Sequence, residues 1–507
     1  MAGTGSTAQE QAAKEKAAPE KVAPGNVTQG RLAGAKAQSY LRAVNELEAR
    51  ASGFTARLML ITDLAYLICS AEMQLMPPDT ARHLAAAVLE IINHLSERDL
   101  SKPPGDIVAQ RERWIADRVS KTDAAWLHLG RNRGESLRNY LPRLFFRQVL
   151  HAQGKELANL VRRIVDRAGP LLSALAPNYH HLQHSGLATA GEYLLSWAVT
   201  FERHIQRLQQ IDQRLDYGPS TFGGRQQTNQ LFDAVSKRLG FSRRARLRRD
   251  GIWVQDQFSE PFFALALIAV DLARLAQDLR IWVTPEFSLF DLADEHAGGS
   301  SALPHAKVPF GLQAVIGAGV MAATRLGGEM AASCAGPSEG SEPIYSSGTL
   351  YQTALDVVAN TRFMAEVVDK GTFDTEEMKR KALLDYAGTS EAHDRLVYDF
   401  GVPFRTGHRI LGAMVRAHFY KEPLPDLREL LRAETGRDFD VDQKEIMDIV
   451  LGRIIWPTTI DEEGLRKVWA ELDQKAGAAT AAFADEGTVN RALDRLVSDA
   501  KSFCSQQ

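Results

Sequence analysis

Three short stretches of this sequence hold residue types that could do chemistry. Gly298-Gly299-Ser300-Ser301 is a glycine-rich loop with a pair of hydroxyls. A serine is a poor base in water, but backbone N–H groups gathered in such a loop at a helix start stabilise its anion. His180, His181 and His184 follow closely on Asn178. Imidazole is the side chain type that ordinarily titrates near neutrality, which suits it to delivering a proton to a leaving group. In His128-Leu129-Gly130-Arg131-Asn132-Arg133 two arginines flank an asparagine, and a guanidinium can clamp a carboxylate bidentately. Each stretch also has a plainer reading: a flexible Gly/Ser connection, a capping or packing histidine, an interhelical salt bridge. His180 and His184 stand i, i+4, a spacing that chelates a metal on a helix. No nearby carboxylate or cysteine pattern completes such a site, so neither a metal nor a cofactor is expected.

Long helices must position these stretches. The 507 residues are 45% hydrophobic and 24% charged, enough for a large core or for two to four domains. Sixty basic against 63 acidic side chains leave a formal charge of -3, so no global basic field marks nucleic acid or an anionic membrane as a partner. Cys69, Cys334 and Cys504 are too far apart for a C-x-x-C site or a disulfide framework, which fits a reducing cytoplasm. Residues 1–30 are rich in Ala, Gly, Pro, Glu, Lys and Gln and are expected to form a disordered tail, with no secretory or membrane signal.

Apolar residues recur at helical spacing over 56–76, 79–95, 138–168, 186–215, 227–239, 261–283 and 350–368. The class is mainly α. Strand-like alternation is confined to a short hairpin arm at 247–254, and the basic run from Arg243 to Arg249 reads as a solvated edge. Breaks at 103–105 and 218–224 divide the chain, and loops at 297–309 and 334–348 interrupt it further.

The order and spacing of the three stretches resemble the signature regions of the fumarase and aspartase superfamily, and within it argininosuccinate lyase. His128 to Arg133 is similar to H-T-G-R-S-R-N-D-Q at the start of a long helix. Asn178 to Gln183 is similar to G-Y-T-H-L-Q, again opening a long helix. Gly299-Ser300-Ser301-Ala302-Leu303-Pro304 is similar to the G-S-S-x-M-P loop. Leu275 to Leu279, Glu286-Phe287-Ser288 and Gly401 to His408 are weaker echoes.

The resemblance implies three domains, an N-terminal helical one at 31–135, a central long-helix bundle at 136–380 and a C-terminal helical one at 381–507. The central bundle would join three other copies in a twenty-helix core, as a homotetramer whose active sites each collect regions from three chains. It implies elimination from a small dicarboxylate-type substrate: a base takes a proton next to a carboxylate, an amine leaves from the adjacent carbon, and fumarate forms. Ser300 takes the base position and His181 the proton-delivering one. Arg133, Asn132, His180, Gln183, Ser301, His305, Lys307 and Tyr345 fall at substrate-binding positions.

Departures fall at several of the family's polar substrate contacts, two of them at the substrate's amino-acid end. The family's anion-binding lysine and its asparagine fall on Ala306 and Val308, so that Lys307 serves only if the loop shifts by one residue. The asparagine of the first region is Gly134, an arginine-aspartate pair is replaced by Asp256-Gln257, and the glutamine and lysine after Tyr345 are Leu350 and Thr353. Two readings follow. The first is a carbon–nitrogen lyase that makes fumarate from a succinyl-amine other than argininosuccinate; the alternative is an inactive relative kept as a binding or structural protein.

Overall fold

Leu, Ile and Ala surround the whole circumference of Glu46–Glu72 (α1), so this helix needs neighbours on every side. The structure, a computed structural model describing residues 37–97, 107–130, 140–219, 226–247, 250–251, 255–334, 342–455 and 460–506, places it at the centre of the core with Ile61, Leu64 and Ala65 sealed from solvent. Around it run Pro78–Asn93 (α2), Ile107–Ala116 (α3) and Leu141–Ala168 (α4). The hairpin Leu175–His180 (β1) and Gln183–Thr189 (β2) leads into Ala190–Leu215 (α5), followed by Gln226–Arg238 (α6) and Asp256–Trp282 (α7). The two-residue strand Phe290–Asp291 (β3) precedes Phe310–Cys334 (α8) and Glu342–Lys370 (α9), and β3 pairs with Thr372–Phe373 (β4). Helices α4, α5, α7, α8 and α9 pack side by side as a bundle. The mainly α class is as expected, and the windows at 79–95, 138–168, 227–239, 261–283 and 350–368 fall on α2, α4, α6, α7 and α9.

Thr375–Ala382 (α10) lies against the hairpin. A second, smaller core then gathers Thr389–Asp394 (α11), Phe404–Phe419 (α12), Leu427–Thr435 (α13) and Gln443–Val450 (α14) around Leu396, Leu411, Leu431 and Ile446. The last two helices, Glu462–Ala482 (α15) and Thr488–Cys504 (α16), return to the first core. Trp469 Nε1 donates to the Val165 carbonyl at 3.0 Å, and Phe483 packs over Gly154, where any side chain would collide with the ring.

Four expectations change. Residues 186–189 are strand, and the helix begins at Ala190 because Thr189 caps it, its hydroxyl accepting from the Glu192 N–H. Residues 342–348, read as loop, form the first turns of α9; Pro343 is tolerated there because first-turn N–H groups have no helical acceptor. In the arm at 247–254, Gly251 N–H donates to the Leu247 carbonyl at 3.0 Å, a helical bond; 248–249 and 252–254 lie outside the described residues, as does the tail at 1–30. Helix α8 stands where the sequence shows no clear helical period, because Ala314, Gly317, Ala318, Gly319, Ala322 and Ala323 blur the apolar spacing.

Both α1 and α8 are long and apolar enough to cross a membrane by length and composition; 89% of the apolar window of α1 is buried, against 22% for α8. One α8 side is packed on α7 and α9, through Leu312, Val315, Gly319 and Ala322. Glu329 is also buried there, with Oε2 lacking a hydrogen bond, and burial pushes its carboxyl up to about 7. The folded chain thus keeps a proton that the unfolded chain releases near 4.5, so the contribution to stability is complete below that pH and fades as pH rises through 7. Thermal melts at pH 5 and pH 8 should show a larger loss for the parent than for Glu329→Gln; equal losses would contradict this.

Candidate active site

The serine loop is built on a closed base. Gly298 and Val308 exchange two backbone hydrogen bonds of 2.7 Å, tying 298–308 into a loop at the start of α8. The Phe310 ring lies where a Gly298 side chain would be, which only glycine permits. Ser300, half-buried, receives hydrogen bonds at its Oγ from the N–H groups of Ala302 (3.3 Å) and Leu303 (3.1 Å). Two amide donors aimed at one hydroxyl oxygen lower the cost of charge on that oxygen. Ser301 and His305 are exposed. Lys307 Nζ holds Asp291 (3.1 Å) and Asp294 (3.0 Å), and its bond to Asp294 raises the ammonium above its ordinary range, so the lysine is committed to bracing the loop.

The histidines do not open a helix as the sequence suggested; they sit on the hairpin. His180 pairs with Gln183 across a two-residue turn, His181-Leu182, in which both residues have positive φ (54° and 60°). Such a turn follows the twist of the strands and normally takes Asn or Gly, so a histidine and a leucine here carry a conformational cost, which active sites tend to retain. His180, His181 and Gln183 are exposed. The helical i, i+4 spacing of His180 and His184 is therefore absent. His184 instead shares one ring nitrogen with the Leu384 carbonyl (3.0 Å) and the other with the Tyr179 hydroxyl (3.2 Å), and no group of metal ligands occurs among the described residues.

At the first region, His128 (φ 69°) meets Arg111 at 2.9 Å and Glu112; Arg111 also reaches Asp63 at 3.4 Å. A buried polar cluster on α1 and α3 thus anchors the turn ahead of Arg131. Asn132, Arg133 and Gly134 lie outside the described residues. Tyr345 falls in the first turns of α9. Leu350 and Thr353 are buried at 2% and 3% exposure, and Thr353 donates to the Thr349 carbonyl while accepting from Arg325. Gln257 is buried as well.

The structure thus brings His180, His181 and Gln183 together on one turn and Ser300, Ser301, His305 and Lys307 together on one loop. No hydrogen bond joins turn to loop among the described residues. A cavity of about 400 Å³ lies beside the turn, lined by Leu182 and Gln183 together with Glu286 and Asp385. The sequence alone assigns no role to these two carboxylates. Glu286-Phe287-Ser288 stands in it only as a family echo, and nothing local to Asp385 signals the hairpin 200 residues away.

A family model described simply as lyase matches residues 62–323, just over half of the chain. The chain belongs to this lyase family. Argininosuccinate lyase of Methanoculleus marisnigri is 26% identical over 390 residues, covering 76% of this chain and 79% of that one. Argininosuccinate lyase of Mycobacterium sp. strain JLS is 30% identical over 321 residues, covering 62% and 67%. Among solved structures, an EDDS lyase in complex with formate superposes with a TM-score of 0.76 at 20% identity, over 93% of this chain and 96% of that one. The 3-carboxy-cis,cis-muconate lactonizing enzyme of Pseudomonas putida gives 0.62 at 19% identity, over 89% and 95%. Membership of the fumarase and aspartase superfamily, on the argininosuccinate-lyase-like branch, follows, and this lyase is a carbon–nitrogen lyase.

Proposed function

We propose that this lyase eliminates an amine from a succinyl-amine to give fumarate, with a substrate other than argininosuccinate. The observation that carries the reading is Ser300, whose Oγ accepts two loop N–H groups. As the alkoxide, Ser300 takes the proton from the carbon next to a substrate carboxylate. The electron pair so released forms the C=C bond as the C–N bond breaks; the nitrogen keeps the C–N pair and accepts a proton from His181. Arg133, Asn132, His180, Gln183, Ser301, His305 and Tyr345 supply donors for the two carboxylates, whose charge rises as the carbanion forms. Lys307 joins them only by leaving Asp291 and Asp294.

Turn and loop act together when copies assemble. Helix α8 exposes Val320 (62%), Met321 (47%) and Met330 (53%) on its outer side. An apolar face of this length fits burial against other copies in a soluble, cytoplasmic homotetramer. Light scattering at micromolar concentration is expected to give the mass of four chains, and a folded monomer would overturn the shared-site reading. The reaction itself is tested by incubating the protein with fumarate and a panel of amines, following fumarate absorbance and product mass. The adducts expected carry one new C–N bond; no adduct with any amine would count against elimination.

A further inference from the structure

The cavity beside the His181 turn has a sign. Glu286 and Asp385 face it, and neither carboxylate pairs with a lysine or arginine among the described residues. Lys381, also on its wall, donates from its Nζ to the Glu286 carbonyl, lies 5.7 Å from the Phe287 ring centre and reaches Glu377 at 3.6 Å, a carboxylate that Arg380 already holds at 2.7 Å. Two carboxylates against one ammonium leave the wall net negative. The rings of Tyr179 and Phe287 line the same space, their centres 5.5 Å apart at 65°, and the Lys381 ammonium over Phe287 shows that this wall accepts a cation beside a ring. Burial, and after it the charges of Asp385 and Glu377, hold the Tyr179 phenol above its ordinary range, so the negative field reaches the hairpin wall.

We propose that this cavity receives the amine half of the substrate and selects amines that carry a second positive charge. The proposal rests on the elimination reading for its place beside His181. The reacting nitrogen sits at the turn, and a second ammonium a few methylenes away lies near Asp385 and Glu286.

Propane-1,3-diamine and propylamine serve as probes, titrated calorimetrically into the full-length protein and into a Glu286→Gln/Asp385→Asn variant. Both carboxylates are exposed, so the variant should fold; a melting curve checks this. The parent is expected to bind the diamine about tenfold more tightly than the monoamine, a preference that added salt weakens and the double variant loses. Equal affinity for the two amines in the parent, no binding of either, or a preference that survives in the variant would each overturn the proposal. Rates with fumarate separate the two readings. A diamine preference in binding without any turnover would uphold the cavity and sink the elimination, and turnover without preference would do the reverse.

Discussion

Ser300→Ala is expected to lower turnover of the elimination by about 10²- to 10⁴-fold, the range usual for a positioned base. Folding should be unaffected. The hydroxyl takes two N–H donors of its own loop, while the loop is held by the Gly298–Val308 bridge and the Phe310 ring, neither of which needs the Ser300 side chain. Substrate binding should survive, so the loss should fall on kcat rather than KM. Ser301→Ala is the comparison: as one of several donors to the substrate carboxylates, its loss should fall on KM and leave kcat far less changed than Ser300→Ala does. His181→Asn should slow turnover less, because a leaving amine can take its proton from water, and one limb of the pH profile should disappear. Unchanged turnover in Ser300→Ala would remove the base assignment. Ligand binding by all variants with no turnover in the parent would favour the non-catalytic reading.

Argininosuccinate is expected to turn over negligibly. Removing one charge-assisted hydrogen bond from a buried site costs roughly 1.5 to 3 kcal/mol, so removing three weakens binding by about 10³- to 10⁶-fold. The fold adds to what the residue types already imply. Leu350 and Thr353 are not merely the wrong residue types; both are packed into the core of the chain. Leu350→Gln would therefore bury an amide rather than restore a substrate donor, and should lower the melting temperature without improving turnover. Lys307, the remaining candidate for the missing lysine of the loop, is held by Asp291 and Asp294. Turnover of argininosuccinate comparable with that of fumarate and the best amine of the panel would show that these positions are wrongly matched.

Much of this protein is legible in its sequence. Helical periodicity is a local property, so α2, α4, α6, α7 and α9 can be read from spacing alone, as can the loop ahead of α8 from its glycines. The three motif regions point to the superfamily because their residue types and order do not depend on knowing what lies between them. What the sequence could not supply were facts that depend on residues far apart. His181 and Leu182 take positive φ, which few sequences of their type would suggest, because the hairpin is held from outside by α10 and by the Leu384 carbonyl. Helix α8 lacks a clean period since one side packs on α7 and α9 while the other stays apolar and open, so burial within the chain never had to sort its residues. The return of α15 and α16 to the first core rests on Trp469 meeting Val165 and Phe483 meeting Gly154, more than 300 residues apart. The pairing of Lys307 with two aspartates and the placing of Asp385 on the same cavity as Gln183 are decisions of the same kind. Residue types set which chemistry was available, and the tertiary structure set which of those groups were already engaged.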